Sequence, residues 1–296
     1  SYYFSTINPH AAYPKLEGRL KTETCVIGGG LTGLCTALPL AENGREVTVL
    51  EAARIGFGAS GRSGGQVISD YACGMEEIEK QVGLEQARWF WQQSLQAVEL
   101  VDERVKKHQI ACDWQRGYAT VAIRPQHWEE LQQWHEHARQ HYGATHYQLW
   151  DKATLKQQLA SDMYLGAQFD PHSGHLHPLN YTLGIARVAA EAGAQIFEQS
   201  PMTRIEPYQG GWLVHTPDGS IECQNLVYAV NTYAGLHQKF KPLEKKAIAV
   251  STFIIATEPL GERAKELIRN NMAVCDNRHV LDYYRLSADG RLLFGG

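Results

Sequence analysis

Between Thr22 and Ala52 the spacing of apolar positions changes twice. "TCVIG" (24–28) is a short apolar run ending in glycine, which predicts a buried strand. In "LTGLCTALPLAENG" the apolar residues Leu31, Leu34, Cys35, Leu38 and Ala41 fall on one helical face, and Gly44 supplies a stop signal. Pro39 departs from helix-interior chemistry and predicts a kink. "EVTVLEA" (46–52) returns to a strand pattern. The three pieces form a βαβ unit within about 30 residues, close to the shortest that joins two parallel strands.

Farther along, 75–108 reads as helix, 118–124 as strand and 125–143 as an amphipathic helix with Pro125 in its first turn. "YQLW", a short helix at 151–159 and "YLGAQFD" follow. A second α/β stretch holds a helix at 178–192 and strands at "AQIFEQ", "MTRIEP", "GWLVHT" and "CQNLVYAV". "KAIAVSTFIIATEPL" (246–260) is strongly β-forming, and "LDYYRLS" and "RLLFG" read as neighbouring strands joined by "ADG". There are no internal repeats. Two kinds of structure alternate, as if one domain were inserted in pieces into another.

Composition narrows the partners. The 296 residues carry 28 basic and 32 acidic side chains, a net charge of −4, which argues against nucleic acid or an anionic membrane. No apolar run approaches the roughly 18 residues of a membrane span. The N-terminus lacks the basic-then-apolar layout of a signal peptide, and it begins at Ser1 without an initiator Met. Six scattered cysteines with no C-x-x-C pair suit a reducing, cytoplasmic setting.

The chemistry is concentrated early. Gly28-x-Gly30-x-x-Gly33 follows a strand, opens a helix, and is followed 18 residues after Gly33 by Glu51 at the end of the next strand. That combination is a dinucleotide fingerprint. Gly28 permits the turn, Gly30 lets a pyrophosphate approach the backbone, and Gly33 lets helix and strand pack. The helix N-terminus offers unpaired amides to phosphate. Glu51 can accept from ribose hydroxyls, and its charge opposes a 2′-phosphate and hence NADP. Five residues later "GFGASGRSGGQ" (56–66) holds five glycines and one cation, Arg62. A nicotinamide dinucleotide has no need of this second stretch, whereas the longer flavin dinucleotide must be lined by backbone along its length. Arg62 either offsets phosphate charge or is a surface loop cation. On this reading Gly30 and Ser60 must share one groove.

"VIGGGLTGL…VTVLEAARIGFGASGRSGGQ", with "SYYFSTINPHAAYP", "GHLHPLN", "IIATEPL" and "LDYYRLSADGRLLFGG", resembles the D-amino-acid-oxidase-like FAD-dependent amine oxidoreductases over essentially the whole chain. Within that family the likeness is to the bacterial γ-glutamylputrescine oxidoreductases. It implies FAD held through Gly28, Gly30, Leu31, Thr32 and Gly33, with Glu51 on the adenosine ribose. It places Ala52 and Arg54 near the adenine end, Ala59, Ser60, Gly64, Gly65 and Gln66 along the pyrophosphate and ring, and Met202 on a later strand by the adenine. In "VYAVNTYAG", Asn231 stands at a glycine-like position of the family pattern. The family's chains continue past "LLFGG", so the resemblance implies a substrate domain truncated at its C-terminus.

The expected fold is therefore α/β with an α+β substrate part. A Rossmann-like FAD-binding domain (1–72 and 151–240) is interleaved with a mixed-sheet substrate domain (73–150 and 241–296). Tyr283 and Arg285 share one strand face and suit a substrate carboxylate, though an ordinary exposed Arg explains them as simply. His172, His175 and His177 lack the further ligands of a metal site and read as a structural connection; no metal is expected. His137 and His141 read as a solvated helix face, and Trp89, Phe90 and Trp91 as core or interface packing. No catalytic triad or carboxylate pair is evident, as suits an enzyme whose flavin carries the chemistry. The expected activity is oxidation of an amine, first γ-glutamylputrescine, to an imine and then an aldehyde. Its partners would be the amine and O2, with H2O2 as product. Two alternatives stand: an oxidase or dehydrogenase of glycine, sarcosine or another small amine, and a non-catalytic nucleotide-binding remnant.

Overall fold

A computed structural model describes residues 1–236 and 248–296. The chain divides into two compact units: Ser1–Ser63 with Ile110–Cys112 and Pro178–Ser251, and Gly64–Gln109 with Asp113–His177 and Thr252–Gly296. The passage from one to the other falls between Ser63 and Gly64, inside the glycine-rich stretch. The expected boundary at 240/241 lies outside the described residues.

Elements are numbered along the whole chain, the first helix, α1, being Tyr2–Ser5. In the first unit β1 (Gly18–Ile27) lies between β2 (Val47–Leu50) and β10 (Gly219–Tyr228), parallel to both. Its last four residues and all of β2 are buried, which is why the two strands are apolar there apart from the small Thr24 and Thr48. The sheet is completed in the order β7-β2-β1-β10-β9-β8, with β7 at Gln195–Phe197, β8 at Arg204–Tyr208 and β9 at Gly211–His215. Gln209 and Gly210, at φ 48° and 81°, make the tight turn between β8 and β9. Helix α2 (Leu31–Glu42) buries Leu34, Ala37, Leu38 and Ala41 and packs against α7 (Pro178–Glu191). Pro39 sits within α2, and the helix runs on to Glu42. β1 begins earlier than its apolar run because β10 pairs with it from Gly18↔Gly219 onward.

The second unit is built on an eight-stranded sheet, ordered β11-β14-β13-β12-β4-β6-β3 with β5 beside β6. These are β3 (Gln66–Val67), β4 (Gln115–Ala122), β5 (Gln148–Asp151), β6 (Gly166–His175), β11 (Ile254–Ala256), β12 (Ala273–Asp276), β13 (Tyr283–Leu286) and β14 (Leu292–Gly295). Alternation along the strands gives the sheet two faces. Ala119, Val121, Ala167, Val274 and Tyr284 pack with Leu155 of α6 (Lys152–Lys156) and Ala264 of α8 (Glu262–Leu267). Tyr118, Thr120, Gln168 and Asp170 lie at the intervening positions.

Several expectations change here. The helix read over 75–108 is two, α3 (Met75–Val82) and α4 (Leu84–Lys107). Gly83, at φ 80°, breaks it by adopting backbone that side-chain-bearing residues rarely take. The next helix, α5 (Pro125–His137), widens into a π turn over Ala138–Tyr142, stopped by left-handed Gly143. The β-forming run 246–260 yields only Ile254–Ala256 among the described residues; Ile248, Val250 and Phe253 are exposed and unpaired in any ladder. Strand propensity without a partner strand does not make a strand. His137 is not simply solvated: it bonds Glu79 at 2.8 Å, tying α5 to α3. Of the aromatic trio Trp91 is buried and Trp89 exposed. Among the described residues no helix is long and apolar enough to cross a membrane.

Candidate functional site

In the first unit the carboxyl ends of β1, β2 and β10 come level, with Ile27 opposite both Leu50 and Tyr228. Such a crevice at the strand ends is where open α/β sheets take ligands. A cavity of about 350 Å3 opens here. Of the expected cofactor residues, Gly28, Gly30, Glu51, Ala52, Ala59, Ser60 and Met202 line it.

The local chain explains the shape. Gly28 sits at φ 112°, and a Cβ on it would fall 2.3 Å from the Ala229 carbonyl oxygen. Gly33 is needed behind it: a Cβ there would lie 2.0 Å from the Gly28 carbonyl oxygen. Gly30 caps α2, and the Ser60 hydroxyl accepts the Leu31 amide at 2.9 Å. Gly30 and Ser60 thus share one groove. The amides of Thr32 and Gly33 precede the first closed turn at Leu34, whose amide reaches the Gly30 carbonyl at 3.0 Å. Amides so placed are what a phosphate oxygen would take. Gly58 differs from the others, because a Cβ on it would meet only Tyr233, at 3.9 Å. Its missing side chain keeps the groove open instead of admitting another part of the chain.

Glu51 is fixed at both oxygens, accepting Gly29 N through Oε2 and Ala53 N through Oε1, each at 2.8 Å. Each oxygen keeps a further lone pair for a ribose hydroxyl. The groove therefore meets the demands of an adenosine pyrophosphate: apolar walls from Ile27, Leu50, Pro201 and Met202, one fixed carboxylate, and bare amides.

Not every expected residue is brought here. Leu31, Thr32 and Gly33 stand behind the wall, with Leu31 contributing through its amide. Arg54 and Arg62 do not line this groove; both line a separate hollow of about 250 Å3. Arg62 donates to the Phe57 carbonyl at 2.7 Å and stacks over the Phe57 ring, while Arg54 lies over Phe4. Sequence reasoning missed Tyr228, Ala229 and Val230, which form the groove wall opposite Glu51's strand because β10 is the neighbour of β1. The available signal was "LVYAV", an apolar strand ending in small residues. Asn231 takes φ 52°, the left-handed conformation a glycine-like position asks for.

Gly64, Gly65 and Gln66 belong to the second unit. Gln66 pairs with His175 across β3 and β6, and Gly65 accepts the Leu176 amide at 2.8 Å. Arg285 is buried, donating from Nε to the Gly64 carbonyl at 2.7 Å and from Nη1 to Leu286 at 3.2 Å. The Tyr283 ring covers Gly64 so closely that a Cβ there would fall 2.7 Å from it. Far from being an exposed strand cation, Arg285 holds the backbone of the glycine stretch. His175 donates from Nε2 to the Asn271 carbonyl at 2.7 Å, leaving Nδ1 buried with no hydrogen-bond partner. Burial and then the Arg285 charge push its pKa down to about 4, so the ring is neutral near neutral pH.

Comparison with known proteins agrees with this geometry. Residues 23–296 match the family described as DAO, FAD dependent oxidoreductase. A probable oxidoreductase OrdL of Haemophilus influenzae is 46% identical over 298 residues, covering all of this chain and 69% of that protein. The gamma-glutamylputrescine oxidoreductase of Escherichia coli is 39% identical over 298 residues, again with all of this chain and 69% of the relative covered. Among solved structures, an L-proline dehydrogenase from P. horikoshii superposes with a TM-score of 0.72 at 22% identity, covering 93% of this chain and 70% of the other. A glycine oxidase from Geobacillus kaustophilus gives 0.71 at 18%, with the same coverage. The narrower likeness expected from sequence needs adjusting, since the OrdL protein is more similar than the γ-glutamylputrescine enzyme.

Proposed function

The chain belongs to the DAO family of FAD-dependent oxidoreductases, and we propose that it oxidises a small amine or amino acid at a carbon–nitrogen bond, with O2 as the final acceptor. FAD, when bound, supplies the two-electron acceptor for the amine's C–H bond. This chain's own residues bind and orient. Glu51 takes the ribose hydroxyls, and the amides at the start of α2 take the pyrophosphate. Ala59 and Ser60 line its passage, and Ala52 and Met202 border the adenine. Within the second unit Arg285 and Tyr283 hold the Gly64 backbone in place.

The observation that carries the reading is the Ser60–Leu31 contact across the mouth of a groove floored by Glu51. It joins the two glycine-rich stretches where one long nucleotide needs both. A second reading of the substrate, γ-glutamylputrescine in putrescine breakdown within the cytoplasm, is favoured by the E. coli relative at 39% identity. Lower-identity relatives named for dimethylglycine and glycine pull toward smaller amines.

The test is direct. The purified protein should carry the visible absorbance of bound flavin, which glycine, sarcosine, proline or γ-glutamylputrescine bleaches without air and which returns, with peroxide, on aeration. Absence of flavin from the folded protein, even after incubation with FAD, would favour the nucleotide-binding remnant and sink the oxidase. Bleaching by γ-glutamylputrescine alone would select the second reading.

A further inference from the structure

The first unit buries a second carboxylate that none of the roles above uses. Glu198 follows β7 directly and is 7% exposed. It does not line the nucleotide groove. Its Oε1 accepts the Ile55 amide at 2.7 Å and its Oε2 the Tyr13 amide at 3.1 Å. A carboxylate holds an amide more tightly than a neutral oxygen does, because the bond is charge-assisted. The next two residues reach the same loop through backbone. Gln199 donates to the Ala53 carbonyl and Ser200 to the Glu51 carbonyl, each at 2.9 Å.

What Glu198 holds is the loop that carries Glu51. Ile55 is 3% exposed, and its Cδ1 lies 2.5 Å from where a Cβ on Gly29 would sit. The residue after it, Gly56, donates to the Gly29 carbonyl at 3.1 Å. Gly29 in turn donates from its own amide to Glu51 Oε2 at 2.8 Å. Gly29 is thus gripped at its nitrogen by Glu51 and at its oxygen by Gly56. A backbone amide has one proton to give, so without Glu198 the buried Ile55 amide loses its acceptor. Moving Ile55 moves Gly56, and with it the Gly29 amide that fixes the Glu51 carboxylate.

The other half of the contact lies outside the groove. Tyr13 belongs to the segment that precedes β1, and the Glu198 amide donates to the Pro14 carbonyl beside it at 3.0 Å. One carboxylate therefore joins this segment to the nucleotide loop.

We propose that Glu198 is a positioning residue for the cofactor, setting the Glu51 carboxylate for the ribose hydroxyls of the adenosine end without touching the nucleotide. The proposal rests on the FAD-binding reading above and deepens it. Two consequences follow. Glu198 governs how well the site tells a hydroxylated ribose from one without hydroxyls, and nucleotide binding is felt at Tyr13.

The experiment uses the flavin-free full chain and two probes, ADP and 2′,3′-dideoxy-ADP, followed by calorimetry. The parent protein should prefer ADP by about tenfold or more, as hydrogen bonds to a charged acceptor warrant. Glu198→Gln should cut that preference to about threefold or less, since its amide oxygen can serve one donor and its NH2 group must face the other. A merely structural role would weaken both nucleotides alike and leave the ratio intact. Glu198→Asp, still charged but one methylene shorter, should fall between. Hydrogen exchange on the parent needs no variant: ADP should slow the Tyr13 amide together with that of Ile55. Equal binding of the two probes by the parent, a ratio unchanged in both variants, or a Tyr13 amide indifferent to ADP overturns the proposal. The same samples separate the two readings. A parent protein that shows the ADP preference yet takes up no flavin sinks the oxidase and keeps the role of Glu198. A protein that loads FAD, with Glu198→Gln at full preference, does the reverse.

Discussion

The groove of the first unit and a cavity of about 290 Å3 in the second are made in opposite ways. The groove is written in consecutive residues: Gly28 to Gly33, Glu51, then Ala59 and Ser60, with each glycine assigned by what its missing Cβ would strike. The cavity is assembled from β4, β6, α3, α4 and α5 and the segment after β3, with only one or two residues from most of them. Backbone recognition demands contiguous small residues, because amides follow one another along the chain. A cavity lined by side chains demands only that alternating strand positions share a face. The first leaves a motif and the second leaves none.

Substitutions test that contrast, the largest effects coming where backbone meets backbone. Gly33→Val should cost about 3 kcal/mol or more, since its Cβ must displace the Gly28 carbonyl. Loss of FAD and a lowered urea midpoint would appear together; a stable variant that keeps flavin breaks the claim that the groove is backbone-defined. Arg285→Met should cost about 1–3 kcal/mol by stripping the Gly64 and Leu286 carbonyls of donors. Its thermal midpoint should fall, and restoring charge with Arg285→Lys should recover only part of the loss. Glu51→Ala should cost about 1–2 kcal/mol through the Gly29 and Ala53 amides and weaken FAD binding further. Equilibrium dialysis against FAD separates the two contributions.

The smaller effects lie in the second unit. His175 is neutral when folded, with its pKa lowered from 6.5 to about 4, so the unfolded chain takes up its proton first as the pH falls. Its contribution is full above about 6.5, declines toward 4 and is lost below that. Urea midpoints at about pH 7 and about pH 5 should differ less in His175→Gln than in the parent protein. Gly83→Ala should cost about 1 kcal/mol, because φ 80° is strained for a side-chain-bearing residue although the space is open. An unchanged melting temperature would show that the α3–α4 break tolerates other backbone angles.

Legibility in the sequence followed the same division. The βαβ unit and the glycine fingerprint were readable because period, turn chemistry and carboxylate fall within one short stretch. β12 and α8 escaped notice: four residues of "AVCD" and six of "ERAKEL" are too short for periodicity to register. Among the described residues of 246–260 a strand forms only at Ile254–Ala256 for the converse reason, strong local preference without a neighbouring ladder. Arg62 looked like a phosphate partner because it sits among glycines, yet its guanidinium folds back on Phe57. Sequence proximity says little about where a long side chain ends.

The bond from Arg285 to Gly64 spans 221 positions. During synthesis, then, the glycine stretch leaves the ribosome long before the residue that secures it. At the pace of translation, about 5–20 residues per second, that is an interval of roughly 10 seconds or more. Throughout it β3 has an incomplete sheet beside it, and the nascent chain exposes edges that a chaperone, or another nascent chain, can reach first.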